Sequence, residues 1–270
     1  MSRARTRPAI YLYCLVESAE SAVAPSLVGV PEGLPETSPP RLLPLGGDLW
    51  LVVGEAPLPA FSAAEIERRL SDLPWVSACA VAHERVVAHF AALAPVVPMK
   101  LFTLYETEAR AVADLAARRE EIEAVLDRVA GCAEWGTRVH FDGSWAVPAE
   151  RRPAAAGEAA TPPASGRSFL LRKKAEQEDV RNRLRRAGAA VEEAFDELSR
   201  QAAASRRREP PALAEPGPRL LLDAAFLVPA AAAEAFENVV QAVAERLAAS
   251  ACRLTLTGPW PPYNFIEEVG

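Results

Sequence analysis

Three histidines, His83, His89 and His140, are the residues of this chain best suited to acid–base or metal chemistry, and their spacing serves neither. His83 and His89 stand six positions apart, a turn of about 240° on a helix, so they offer no ion a common face. His83 precedes Glu84, and an imidazole beside a carboxyl could form part of a general base. No nucleophile or second acid stands at a recognisable spacing from it. The alternative is a core or domain-interface histidine satisfied by a hydrogen bond. Cys14, Cys79, Cys132 and Cys252 form no C-x-x-C pair, which removes zinc-ribbon and thioredoxin-type chemistry; each lies in an apolar pattern and is expected as a buried free thiol. There is no G-x-x-x-x-G-K loop, no G-x-G-x-x-G turn and no G-x-S-x-G elbow. The residues thus point to a non-catalytic protein with no catalytic residues, metal or cofactor. An enzyme without a recognisable motif is the weaker alternative.

The elements that carry these residues are legible as patterns. A chain of 270 residues, 50% of them hydrophobic, has material for two cores. A formal charge of -6 disfavours nucleic acid as a partner. No stretch reaches the roughly 18 apolar residues of a membrane span, and no secretory signal is evident, so a soluble cytoplasmic protein is expected.

Ile10 to Val16 reads as a strand covered on both faces. Residues 25 to 40 form a proline-rich surface loop, and Arg41–Leu45 with Leu49–Val53 form a hairpin around Gly46-Gly47-Asp48. Ser62 and Glu65 mark a helix start by the capping-box pattern, and Pro74 starts a second helix to about Leu93. The segment 95–102 reads as a strand at an edge, and Glu106 opens one long helix through Val129. Trp135 to Phe141 is the next strand. The stretch 147–166, poor in large apolar residues, is expected to be flexible.

Residues 168 to 208 carry Val180, Leu184, Ala187, Val191, Phe195 and Leu198 at the steps of a helical seam. On that helix Arg181 and Arg185 fall in a basic half and Glu193 and Glu197 in an acidic half. This is either a solvated face or a docking surface for another protein. Strands at 219–228 and 252–256 flank a further helix. The fold class is therefore α+β with two domains, 1–131 and 132–270, the second a ferredoxin-like β-α-β-α-β sheet with a long helix. Residues 258 to 270 form an extended arm in which Pro259, Pro261 and Pro262 stiffen a backbone bearing Trp260, Tyr263 and Phe265. The arm either staples the second domain along the seam of its long helix or meets a partner.

Gly258-Pro259-Trp260-Pro261-Pro262-Tyr263 after a hydrophobic strand resembles the C-terminal signature of the gas vesicle protein family GvpF/GvpL. The resemblance continues through Leu222–Val228, Tyr11-Leu12-Tyr13, Trp75–Glu84 and Val96–Phe102, spread over nearly the whole chain in the family's order. Two departures stand out. The family usually shows Arg-Phe-Gly-Thr where this chain has Lys100-Leu101-Phe102-Thr103, and Ser where it has Asn264. The resemblance implies an accessory or minor structural protein needed for gas vesicle formation, located at the gas vesicle or in the cytoplasm. Its implied partners are the shell protein GvpA and other accessory proteins, without nucleic acid or membrane. A non-catalytic binding module outside that system is the competing class.

Overall fold

The computed structural model describes residues 7–19, 22, 25–141, 166–209 and 218–266. Apart from Gly166, the stretch 147–166 lies outside them, so its expected flexibility is not addressed. The described residues divide into two compact units. One comprises those up to Glu134 together with those from Pro259 onward, the other those from Trp135 to Gly258.

In the first unit every residue of β1 (Ala9–Glu17) except its last is buried, as its continuous apolar run requires. It lies inside an antiparallel sheet with the order β2 (Arg41–Gly46), β3 (Leu49–Ala56), β1, β4 (Val96–Pro98), and β5 (Leu104–Tyr105) also pairs with β1. The hairpin turns at Gly46 and Gly47, whose positive φ values of 98° and 56° suit residues without a Cβ. A register shift between Leu12 and Cys14 sets Tyr11, Tyr13, Cys14 and Val16 on one face. That face packs with Trp75, Cys79, Val86, Val87 and Phe90 of helix α3 (Leu73–Ala91), which follows the short helices α1 (Leu58–Phe61) and α2 (Ala63–Arg69).

The expected capping residue works as predicted: Ser62 Oγ accepts from the Glu65 amide at 3.2 Å. The single helix expected from Glu106 is instead two, α4 (Glu108–Ala116) and α5 (Arg119–Val129). The break serves the sheet, because it lets Arg119 donate to the Leu45 and Gly46 carbonyls at the hairpin end, each at 3.0 Å.

Phe102 stands where the family's glycine is expected, and its φ is +67°. A left-handed conformation is costly for a bulky residue. Here two contacts offset the cost: the Phe102 ring stacks on Trp75 at 5.3 Å, and its amide donates to the Tyr11 hydroxyl at 3.3 Å.

The second unit is built from β6 (Cys132–Phe141), α6 (Gly166–Ser199), β7 (Ala204–Arg207), β8 (Arg219–Pro229), α7 (Ala233–Ala248) and β9 (Cys252–Trp260), β6 and β9 each running past the division between the units. The strand order β7-β8-β6-β9 makes this a ferredoxin-like β-α-β-β-α-β sheet. One strand more is present than the sequence pattern predicts. The helix expected through Arg208 ends at Ser199, and Ala204–Arg207 pairs antiparallel with β8. Four residues alternating between half-buried and exposed carry too weak a period-two signal to be read beside a long helix. Trp135, Val139 and Phe141 of β6, Leu222, Ala224, Phe226 and Val228 of β8, and Phe236, Val240, Val243 and Leu247 of α7 form the core with Ala187, Val191, Ala194 and Leu198 of α6.

The arm does not dock where the sequence reading places it. Tyr263 packs against the core of the first unit. Most of the α6 seam is already occupied, since Ala187, Val191 and Leu198 are buried against its own sheet and only Val180 at its start stays exposed. Nor does the arm run as one extended stretch. β9 continues to Trp260, and residues 263–265 form a 3-10 turn. Trp260 and Tyr263 therefore do not share a face.

Candidate functional site

The polar groups that looked most like chemistry close on one another inside the first unit. His83, on the sheet-facing side of α3, is 4% exposed. Its Nε2–H donates to the Met99 carbonyl at 3.0 Å, which leaves Nδ1 to accept from the Tyr11 hydroxyl at 2.7 Å. Burial pushes the imidazole down to about 4, so the ring is neutral at physiological pH. Burial likewise pushes the Tyr11 phenol well above its ordinary range and raises that of Tyr13. The Tyr13 hydroxyl accepts from the Leu34 amide at 2.9 Å and pins the proline-rich loop. A satisfied neutral histidine with both nitrogens engaged is a structural element, not a base.

The C-terminal segment uses the neighbouring position. Glu134 is 3% exposed, and its two oxygens accept from the Asn264 amide at 2.8 Å and from Asn264 Nδ2 at 2.5 Å. The departure from the family's usual serine thus supplies a second donor to a buried carboxylate. Arg128 donates to the Phe265 carbonyl at 2.8 Å, and Phe265 and Ile266 are buried. The Tyr263 ring lies 6.4 Å from that of His83. Burial, then the nearby Glu84 carboxylate, raises the Tyr263 phenol far above its usual range. Burial also raises the Glu84 carboxyl, against the Tyr263 hydroxyl that lowers it, with a further upward push from Glu134. Glu84 Oε1 and the Tyr263 hydroxyl are buried without a hydrogen bond of good geometry.

The other residues singled out by sequence separate into distinct places. Trp260 remains 45% exposed while Tyr263 and Phe265 pack inward. On α6, Arg181, Arg185 and Glu193 are exposed, whereas Glu197 pairs with Arg246 of α7. Cys14, Cys79, Cys132 and Cys252 are free thiols, and among the described residues no cluster of histidine, cysteine and carboxylates is placed to hold a metal.

A surface feature missed by sequence reading is a set of apolar side chains left exposed on and beside α3, Leu93 lying two residues past its end. Leu73 is 71% exposed, Val81 50% and Leu93 60%, with Leu70 and Val28 also exposed. Beside Val81 an open groove of about 960 Å³ runs between Ser77, Ala78, Ala82 and Arg85 and the loop Pro31–Pro39. The signal was present in sequence, because α3 carries apolar residues on more than one face, but burial is not readable from hydrophobicity alone. No described helix is long and apolar enough to cross a membrane.

The comparisons agree with this architecture. The family model described as gas vesicle synthesis protein GvpL/GvpF matches residues 9–267. Gas vesicle protein L of Streptomyces sp. (strain CB03234) is 32% identical over 229 residues, covering 84% of this chain and 83% of its own length. Two crystal structures of the gas vesicle protein GvpF share the fold. That from Anabaena sp. PCC7120 aligns with a TM-score of 0.64 at 17% identity, covering 96% of each chain. That from Microcystis aeruginosa aligns at 0.61 and 16% identity, covering 96% of this chain and 98% of its own. With a matching family model over nearly its whole length, the chain belongs to the GvpL/GvpF family of gas vesicle synthesis proteins.

Proposed function

We propose that this protein is a non-catalytic accessory or minor structural protein of gas vesicle formation that binds the shell protein GvpA during assembly. Family membership supports the gas vesicle role. The observation that favours a binding role is the set of exposed apolar side chains around α3, Leu73 and Val81 on the helix and Leu93 just past its end, with Val81 lining the groove beside the proline-rich loop. Exposed apolar groups on a folded protein favour association with another apolar surface, and a small hydrophobic shell subunit needs such cover before it joins the wall. Trp260 and the exposed charges Arg181, Arg185 and Glu193 are proposed as secondary contacts, with Glu197 held by its ion pair. Tyr263 and Phe265 serve the arm's own docking.

Expression of the remaining vesicle proteins with and without this chain tests the role. Absence of vesicles by electron microscopy, restored on adding the chain back, is expected. Normal vesicles without it would overturn the reading. Probing intact vesicles for the chain after a urea wash then separates a retained component from a transient escort.

A further inference from the structure

The sheet of the second unit has two unlike faces. Trp135, Val139, Phe141, Leu222, Ala224, Phe226 and Cys252 point into the core beneath α6 and α7, so the alternate residues must face the other way. Those residues are Gly136, Arg138 and His140 on β6, Arg206 on β7, Asp223, Ala225 and Leu227 on β8, and Arg253, Thr255 and Thr257 on β9; Ala225 and Leu227 are fully buried, so the open part of the face lies at Arg138 and along β9. Arg208, just after β7, joins them. In a protein of net charge -6, this face carries Arg138, Arg206, Arg208 and Arg253 and one carboxylate, Asp223, which Arg138 and Arg208 contact.

The arrangement is built from inside. The Asp223 side chain is 7% exposed and accepts from Arg208 Nε at 2.7 Å and from Arg138 Nε at 3.2 Å. Two guanidinium groups thus share one buried anion, and a net positive charge is left at the surface. Gly136 makes room for it: a Cβ there would meet Thr257 Oγ1 at 2.7 Å and Arg208 Nη2 at 3.3 Å. Among the described residues only Nε of Arg138 is engaged, and its side chain is 60% exposed, so its terminal nitrogens project with their orientation already fixed. Arg253, Thr255 and Thr257 are exposed along the same face.

We propose that this face binds an acidic, extended polypeptide segment of a partner protein. Arg138 and Arg253 form fork-like pairs with its carboxylates, and Thr255 donates to its neutral groups. The partner's sign follows from the charge of the face. A polypeptide is favoured over nucleic acid because the two exposed arginines of this face, Arg138 and Arg253, within an acidic protein offer discrete carboxylate-sized contacts, not the long basic track that a phosphate backbone needs. The surface lies on other elements than the α3 row, so this proposal stands or falls independently of shell-protein binding.

The test uses the full chain and a fluorescein-labelled deca-glutamate peptide, followed by fluorescence anisotropy at low salt. Arg138→Gln combined with Arg253→Gln is expected to weaken binding about tenfold. Arg253→Gln alone, at a position with no structural partner among the described residues, is expected to weaken it about threefold and guards against a folding defect. Arg181→Gln with Arg185→Gln on α6 removes the same charge elsewhere and is expected to leave binding within about twofold. Equal weakening by both pairs, no binding by the unaltered chain, or tighter binding of a labelled decathymidylate would each overturn the proposal.

Discussion

The two units bury polar groups in opposite ways. The first holds a histidine, tyrosine hydroxyls and a carboxylate inside its core and completes them with a segment from the far end of the sequence. The second builds its core from apolar side chains, Thr137 apart, and holds one carboxylate, Asp223, at the back of the sheet between two arginines. The second unit rests mainly on hydrophobic packing, with Asp223 paired to its arginines. The first depends also on titratable groups being neutral or paired, so pH and single polar substitutions should act mainly there.

Removing a central aromatic should separate the units most sharply. Phe226 is fully buried and contacts Phe195 and Phe236, with ring centroids 5.8 Å and 5.6 Å away. Phe226→Ala is expected to cost the second unit about 3 to 5 kcal/mol. Hydrogen exchange should then show lost protection in β6, β7 and β8 while β1 and β3 are unchanged.

A chain ending at Trp260 loses the docked Tyr263, Phe265 and Ile266. The expected cost is roughly 3 kcal/mol, confined to the first unit. Lost protection in α6 and α7 instead of β1 and α3 would return the arm to the second unit.

Acid sharpens the same contrast. His83 is held at about 4 in the folded chain against an ordinary value near 6.5. The unfolded chain therefore takes up a proton that the folded chain refuses, and stability falls as pH drops from about 6.5 toward 4, by about 2 kcal/mol at pH 5. Glu84 acts in the opposite sense: its raised carboxyl contributes stability at low pH that is lost as pH rises through its folded value. Chemical unfolding across pH 5 to 7 of the native chain and of His83→Gln checks the sign. The variant should show a shallower fall, and an unchanged slope would remove His83 from the account.

The smallest expected effect is that of Asn264→Ser. Serine keeps the backbone bond to Glu134 and loses the one from Nδ2, which should cost about 1 kcal/mol. A change of Tm equal to that of the truncated chain would mean that the amide carries the whole docking.

How much of this was legible in sequence differs by element. The run Ile10–Val16, the Ser62 cap and the glycine hairpin carry local signals, and the α+β class follows from them. β7 has too short an alternation to compete with the helix before it. The arm's destination depends on a buried acceptor, Glu134, some 130 positions away, which no periodicity encodes. His83 was readable as a core histidine from the missing nucleophile, but its partners Tyr11 and Met99 were not, because they meet only through tertiary packing.

Binding of purified GvpA to the full chain, compared with a Leu73→Ser, Val81→Ser variant, tests the central claim most directly. Both residues are more than half or half exposed, at 71% and 50%, so the variant should melt with the unaltered chain. Capture of the shell protein is predicted to fall at least about tenfold at unchanged Tm. Undiminished capture by that variant would contradict the assignment of this face to the shell subunit.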